Sequence, residues 1–432
     1  MDLTTVATVA LGLLLFALVS KRLDGSVLTP PLIFVAFGFA IGDGGFGVAM
    51  VNPGRDGIHL LAEITLILVL FADAARIDLK VLRRDHSLPT RMLLIALPLT
   101  IVAGSVAAMT LFPNLGVFEA TMLAAILAPT DAALGQAVVT SRHVPVRIRQ
   151  AVNVESGLND GIALPAVLLF AAMAGAHHGP HGAGGWGAFV AAQLILGPLV
   201  GGLVGAGGAR IIDTAIERGY IGTAAQGLAV LALIALCFAL AEMVGGNGFI
   251  AAFVGGIAFG NVVRHDCEFL FEFMESEGQL LTLVTFLVFG AVLLPEGLVH
   301  VDGATLLYAL LSLSVLRMLP VWLSLLGTGV RLPTALFLGW FGPRGLASIL
   351  FLLVILEEAG MLHESRLLSV TVVTVALSVL LHGISAAPFA RRYGAMVARL
   401  GECAETEDVP NTPLREGPLA SPLEENERAP TP

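Results

Sequence analysis

Apolar runs of about 20 residues recur along almost the whole chain, each bounded by glycine, proline or charge. A run of that length crosses a hydrocarbon core of ~30 Å at ~1.5 Å per residue. Inside such a core every backbone amide and carbonyl must find a partner within the protein, which leaves closed barrels and helices. Runs this long select helices, so the pattern points to an all-α polytopic membrane protein. Composition agrees. Only 13% of the 432 residues are charged, about half of what a soluble domain carries. Cys237, Cys267 and Cys403 are far apart and suggest neither a disulfide framework nor a zinc site. No basic patch offers itself to nucleic acid, no GxxxxGK[ST] phosphate loop is present, and no cofactor is expected.

Reading the runs in order gives thirteen candidate spans, near residues 3–20, 28–49, 58–79, 90–112, 118–140, 149–174, 187–209, 222–244, 248–262, 274–294, 303–327, 333–357 and 366–389. The span at 248–262 is the shortest. Lysine and arginine then set the orientation. With this count one side receives sixteen of them, among them Lys21, Lys80, Arg91, Arg147, Arg149 and Arg331, and the other only Arg55 and Arg366. The rich side is expected to be cytoplasmic, with the N-terminus outside. The first run lacks a basic segment before it and is read as an uncleaved span rather than a secretion signal. Residues 1–392 form the expected membrane domain. Beyond Leu400 the chain turns polar and rich in proline and glutamate, and residues 393–432 are expected to be a short, disordered, acidic cytoplasmic tail. The loop with His177, His178 and His181 is expected outside; a metal site there competes with a mobile glycine- and proline-rich loop.

An ionisable side chain near the membrane centre costs at least ~2.5–3.5 kcal/mol on insertion scales, so each one calls for a reason. In the fifth span, Pro129 should break the helix beside Thr130 and Asp131. A break frees backbone oxygens next to a hydroxyl and a carboxylate, hard ligands suited to an alkali cation. The alternative is a proline kink with Asp131 capping the second half-helix. In the sixth span, Glu155 lies over Asn159 and Ser156 over Asp160, each pair at i,i+4, which draws a polar stripe on an apolar helix. Asp160 sits about eleven residues in, ~16 Å deep. Desolvation there favours its neutral acid and a bound cation favours its carboxylate, so one group can hold a proton or a metal ion in turn. In the twelfth span Gly342, Pro343 and Gly345 interrupt the helix around Arg344. A guanidinium there needs a carboxylate, and Glu155 is the expected partner, leaving Asp131 and Asp160 for ions. The two interrupted spans are seven apart and so run in opposite directions, as an inverted repeat requires. Asp73, near the end of the third span, either helps ligate the cation or pairs with Arg76. Arg317 and Glu242 are expected to be structural or to snorkel.

These residues resemble a family. Pro129-Thr130-Asp131, Glu155 to Asp160, Gly248 to Gly256 and Gly342-Pro343-Arg344-Gly345, in this order, are similar to the cation/proton antiporters of the sodium/proton exchanger type, NhaP-like members above all. The resemblance implies thirteen helices with inverted repeats, two crossed interrupted helices, a homodimer, and a core that includes spans near 90–174 and 303–389 and moves like an elevator. It implies Na+ or Li+ exchanged for H+, with K+ as the alternative. Asp160 would be the exchanging carboxylate. Asp131, Ser156, Thr130 and Asp73 would complete the cation site, and Glu155 with Arg344 would be a structural ion pair. Asn159 before Asp160 implies electroneutral one-for-one exchange. An intramembrane hydrolase using Ser156 would need a histidine at depth, and His59, His86, His143, His300 and His363 fall at span ends or in loops. A sodium-coupled solute carrier and a channel remain the other classes.

Overall fold

The computed structural model describes residues 3–23, 26–48, 54–77, 79, 87–139, 141–175, 183–263, 268–359, 364–400 and 403–406. Regular structure among them is helical throughout. We number the helices α1 (Leu3–Leu23), α2 (Pro30–Ile41), α3 (Gly54–Ala75), α4 (Ser87–Leu111), α5a (Val117–Ile126), α5b (Ala132–Val139), α6 (Val146–Gly175), α7 (Ala183–Glu217), α8 (Thr223–Met243) and α9 (Gly248–Val262). They continue with α10 (Glu268–Val288, carried on through a widened turn to Leu298), α11 (Gly303–Ser324), α12a (Leu332–Trp340), α12b (Leu346–Ala359) and α13 (Glu364–Ala398). Among the described residues nine helices are long and apolar enough to cross a membrane, and four shorter apolar helices accompany them. Together they match the thirteen spans read from the sequence.

Half-helices α5a and α5b are the two pieces of the fifth span, and α12a and α12b those of the twelfth. Each piece is too short to cross alone. Pro129 separates the first pair and Pro343 the second, where a missing N–H and a bulky ring stop the ladder. Free backbone groups at such breaks survive only inside protein. Accordingly, Ile126, Leu127, Ala128 and Thr130 at one break and Phe341 and Arg344 at the other are all at most 1% exposed. Exposed leucines and valines instead crowd the outer faces of α1 and α4, for example Leu14, Leu18, Leu94 and Val102.

Two sets of helices surround the breaks. Helices α4, α5, α6, α11, α12 and α13 pack on one another, while α7, α8 and α9 form a second set. Helix α3 bridges them, touching α9 on one side and α6 and α12b on the other. Glycine makes the second set tight. A Cβ at Gly205 would run into the backbone of Gly255, and one at Gly256 into that of Phe71, so α9 lies almost backbone to backbone between α7 and α3. The short α9 is started by Asn247, whose side chain accepts the Ile250 amide at 3.0 Å, and by Glu242, which accepts the Gly248 amide at 2.7 Å.

The expected boundary of the tail at residue 393 falls too early. Helix α13 continues to Ala398, and a turn at 403–406 folds back onto the start of α12a. Glu405 there is fully buried and accepts the Arg331 amide at 2.8 Å and the Thr334 hydroxyl at 2.9 Å. Burial opposes its charge, but those hydrogen bonds outweigh it and hold the carboxyl below the ordinary range. Arg147 at the start of α6 donates to the Ala404 carbonyl. The remaining acidic tail, residues 407–432, and the histidine loop at 176–182 lie outside the described residues.

Candidate ion-binding site

At the middle of the molecule the two breaks cross, and each supplies what the other lacks. The C-terminal end of α5a leaves carbonyls without partners, carrying partial negative charge. The guanidinium of Arg344, from the other break, donates through Nη1 to the carbonyls of Ala128 and Pro129, the latter at 3.0 Å. Ser348 adds a hydroxyl to the Ile126 carbonyl at 2.8 Å. In return the N-terminal end of α12b exposes amides, and Asp131 caps them: its Oδ2 accepts the Leu346 N–H at 2.6 Å. The Asp131 amide closes the exchange by donating to the Pro343 carbonyl at 2.8 Å. This crossing needs glycine at 345, because a Cβ there would overlap the Asp131 carboxylate.

Two sequence expectations are corrected by this geometry. Asp131 is a cap, and the half-helix that its side chain caps belongs to the opposite interrupted span rather than to its own. Arg344 does not pair with Glu155. Standing inside a break, it meets bare carbonyls first. The partner of Glu155 is Arg317 of α11, whose Nη2 lies 2.7 Å from Glu155 Oε1, both side chains being almost fully buried. Arg317 is therefore not a snorkelling residue.

Below the crossing, the stripe on α6 faces Thr130. The Thr130 hydroxyl donates to Glu155 Oε2 at 3.1 Å and stands 3.3 Å from Ser156 Oγ. Asn159 Nδ2 donates to that same hydroxyl and, at 3.3 Å, to the Thr130 carbonyl. Glu155, Ser156, Asn159 and Thr130 are thus one buried network, joined through Thr130. Asp160 is the exception on this stripe. Its Oδ1 is buried and accepts no hydrogen bond from another described residue, and the same holds for Asn159 Oδ1. The negative charges that reach the Asp160 carboxyl come from Asp73, Asp131 and Glu155. Asp73 arrives on α3, which passes close to Gly157.

Among the described residues no three acidic, histidine or cysteine side chains converge tightly enough to hold a metal by themselves. The oxygens that Asp160, Ser156 and Thr130 carry, carboxylate, hydroxyl and carbonyl, are instead hard donors of the type that suits an alkali ion.

Sequence reasoning missed one buried histidine. His382, fully buried on α13, sits beside the second break: its Nε2 is 2.9 Å from the Trp340 carbonyl and its Nδ1 is 3.2 Å from Ser378 Oγ. An ionisable residue in the middle of the apolar run 366–389 was the available signal. Its partners are on α12 and α13, so it does not serve Ser156 as a base.

Comparison with known proteins agrees with this fold. The family model described as "Sodium/hydrogen exchanger, transmembrane" matches residues 6–392. The K(+)/H(+) antiporter NhaP of Alkalimonas amylolytica is 25% identical over 377 residues, 87% of this chain and 63% of that protein. The K(+)/H(+) antiporter NhaP2 of Shewanella oneidensis is 25% identical over 378 residues, 86% of this chain and 63% of that protein. The chain thus spans less than two thirds of the length of these relatives. Among solved structures, the sodium proton antiporter MjNhaP1 from Methanocaldococcus jannaschii at pH 8 superposes with a TM-score of 0.74 at 21% identity, covering 92% of this chain and 99% of that one.

Proposed function

Because the chain belongs to the sodium/hydrogen exchanger family, we propose that it exchanges a monovalent cation, Na+ or Li+, for a proton, with Asp160 binding the two in turn. The observation that carries this reading is the buried Asp160 Oδ1 without a hydrogen-bond partner among the described residues, in the field of Asp73 and Asp131. A carboxylate in that position is unstable alone. A proton neutralises it and so does a cation, and the two exclude each other because the first removes the charge that holds the second.

Exchange is one for one. Asn159 beside Asp160 carries no charge, so a single carboxyl of the pair changes occupant, and each cation that leaves is replaced by one proton. Ser156, Thr130 and, across α3, Asp73 complete the cation's surroundings. Membrane potential clamped in liposomes then leaves the exchange rate unchanged.

K+ is the second reading, supported by the names of the two bacterial relatives. Carboxylate, hydroxyl and carbonyl oxygens suit both ions, and cavity size decides between them. Orientation is part of the proposal. Arg91, which donates to the Leu326 carbonyl at 2.7 Å, Arg147 and Arg331 gather at the end of the bundle where Ala404 and Glu405 dock. By the positive-inside rule that end is cytoplasmic. A homodimer in the cell membrane belongs to the same reading, and the exposed leucines of α1 offer apolar surface for it.

Purified protein in liposomes, challenged with Na+, Li+ and K+ while an internal dye reports pH, tests the whole reading. Asp160→Asn abolishes cation-driven proton movement for every ion and leaves the protein folded. Persistent exchange in that variant defeats the assignment, and current without proton countertransport would identify a channel.

A further inference from the structure

The second break is held from a side that the ion site does not explain. Three polar residues of α13, Ser378, His382 and Ser385, fall at i, i+4 and i+7, so they share one face of the helix. Each takes one polar group of the interrupted span. Ser378 Oγ accepts the Arg344 amide at 2.6 Å, His382 Nε2 meets the Trp340 carbonyl at 2.9 Å, and Ser385 Oγ accepts the Trp340 indole N–H at 3.0 Å. The Trp340 and His382 rings lie 5.0 Å apart between centroids.

His382 Nε2 faces the Trp340 carbonyl at 2.9 Å, and Nδ1 lies 3.0 Å from the Ser378 carbonyl and 3.2 Å from Ser378 Oγ, so the ring bridges its own helix and the interrupted span. With Nε2 protonated the imidazole donates to the Trp340 carbonyl, while Ser378 Oγ accepts the Arg344 amide. Arg344 is the charged group that faces the ring. The result is a relay from α13 to the carbonyl end of α12a and the peptide that follows it.

That peptide is the one that grips Asp131. Pro343, one residue before Arg344, supplies the carbonyl that receives the Asp131 amide, and Leu346, two residues after it, supplies the amide that caps the Asp131 carboxylate. The same logic operates at the first break, where α6, the helix that follows it, sends Asn159 Nδ2 to the hydroxyl and carbonyl of Thr130. Helix α13 follows the second break in the same way. The two interrupted spans are each steadied by an i,i+4 polar pair on the next helix, Glu155 with Asn159 in one case and Ser378 with His382 in the other.

We infer that His382, with Ser378, is a positioning residue for cation binding: it fixes residues 340–346 so that Asp131 stays where the cation site needs it. His382 touches neither cation nor proton in this scheme. The inference rests on the proposed exchange at Asp160, whose surroundings include the Asp131 carboxylate, and predicts an effect on affinity rather than on chemistry at Asp160.

The test measures KM and kcat for Na+ and K+ in proteoliposomes for the unaltered protein, His382→Leu, His382→Gln, Ser378→Ala and Ser385→Ala. His382→Leu removes the donor to Trp340 and raises cation KM roughly five- to tenfold with kcat changed less than twofold. His382→Gln, whose amide can still donate to that carbonyl, recovers most of the affinity. Ser378→Ala raises KM in the same direction, and Ser385→Ala, which meets only the indole, leaves it unchanged. KM unaltered in both His382→Leu and Ser378→Ala overturns the inference while leaving exchange at Asp160 intact. So does equal loss of kcat in His382→Leu and His382→Gln, since a merely structural histidine predicts no rescue. If His382→Leu does not fold, the contrast between His382→Gln and Ser378→Ala decides by the same criterion. Absence of saturable exchange in the unaltered protein removes the underlying reading and this inference with it.

Discussion

Two carboxylates five residues apart on α6 live in opposite circumstances. Glu155 is enclosed by an arginine at 2.7 Å and a threonine hydroxyl at 3.1 Å, whereas Asp160 has a buried oxygen that accepts no hydrogen bond from another described residue. Both stand at membrane depth, so burial alone does not give a carboxylate its role. A carboxylate whose charge is permanently answered becomes part of the frame. One whose charge is left unanswered is the one proposed here to exchange its occupant. The aqueous end of the molecule holds a third case: Asp302 pairs with Arg366 at 2.8 Å, with the two side chains 48% and 33% exposed, where water would serve nearly as well.

Removing the partner of Glu155 should have the largest structural effect. Arg317→Leu leaves a charge buried without its counter-ion and costs about 3–5 kcal/mol, read as a fall in Tm in detergent or as loss of folded protein. Converting both residues, Glu155→Leu with Arg317→Leu, should recover most of that stability, since an apolar pair of similar volume is often neutral. If the double variant is as unstable as the single one, Glu155 answers to something other than Arg317.

Gly345→Ala comes next. Its methyl group would overlap the Asp131 carboxylate, and overpacking of this kind costs about 1–3 kcal/mol. Thermal stability should fall by that amount and cation KM should rise with it, because the carboxylate is pushed off the α12b amide. A stable variant with unchanged KM would separate the crossing from the ion site.

The smallest effect belongs to Asp302. Hydrogen bonds from the Thr305 amide and hydroxyl, helped by Arg366, hold its carboxyl down at about 2. Its folded value is depressed, so the stabilisation is complete above the ordinary carboxylate range near pH 4 and is lost as pH falls through about 2. Exposure screens it. Asp302→Asn should change Tm by less than a few degrees at pH 7 and leave exchange untouched, a contrast that marks the buried pair as different in kind.

Much of this organisation is legible in the sequence because the bilayer is a severe solvent. Hydropathy marks the spans, and Pro129 and Pro343 mark the breaks, since each removes an amide from a ladder that has no water to fall back on. The i,i+4 stripe from Glu155 to Asp160 follows from helix geometry alone. What local pattern cannot supply is which of two distant side chains reaches a third. Arg344 and Arg317 are equally charged and both lie in late spans, and choosing the one inside a break overlooked the free carbonyls waiting there. His382 was missed for a related reason: a single histidine in a long apolar run looks like part of the run until its neighbours across the bundle are known. The turn at 403–406 shows no periodicity, and what holds it is its burial against α12a rather than its own propensity.

Competition at Asp160 is tested most directly by measuring cation KM and Vmax across a pH series in proteoliposomes. If proton and cation share one carboxyl, apparent KM rises towards about tenfold for each unit of acidification below the pH where the site begins to take up its proton, with Vmax reached at every pH given enough cation. A KM indifferent to pH, with the acid inhibition appearing in Vmax alone, would mean that the two ions occupy different places.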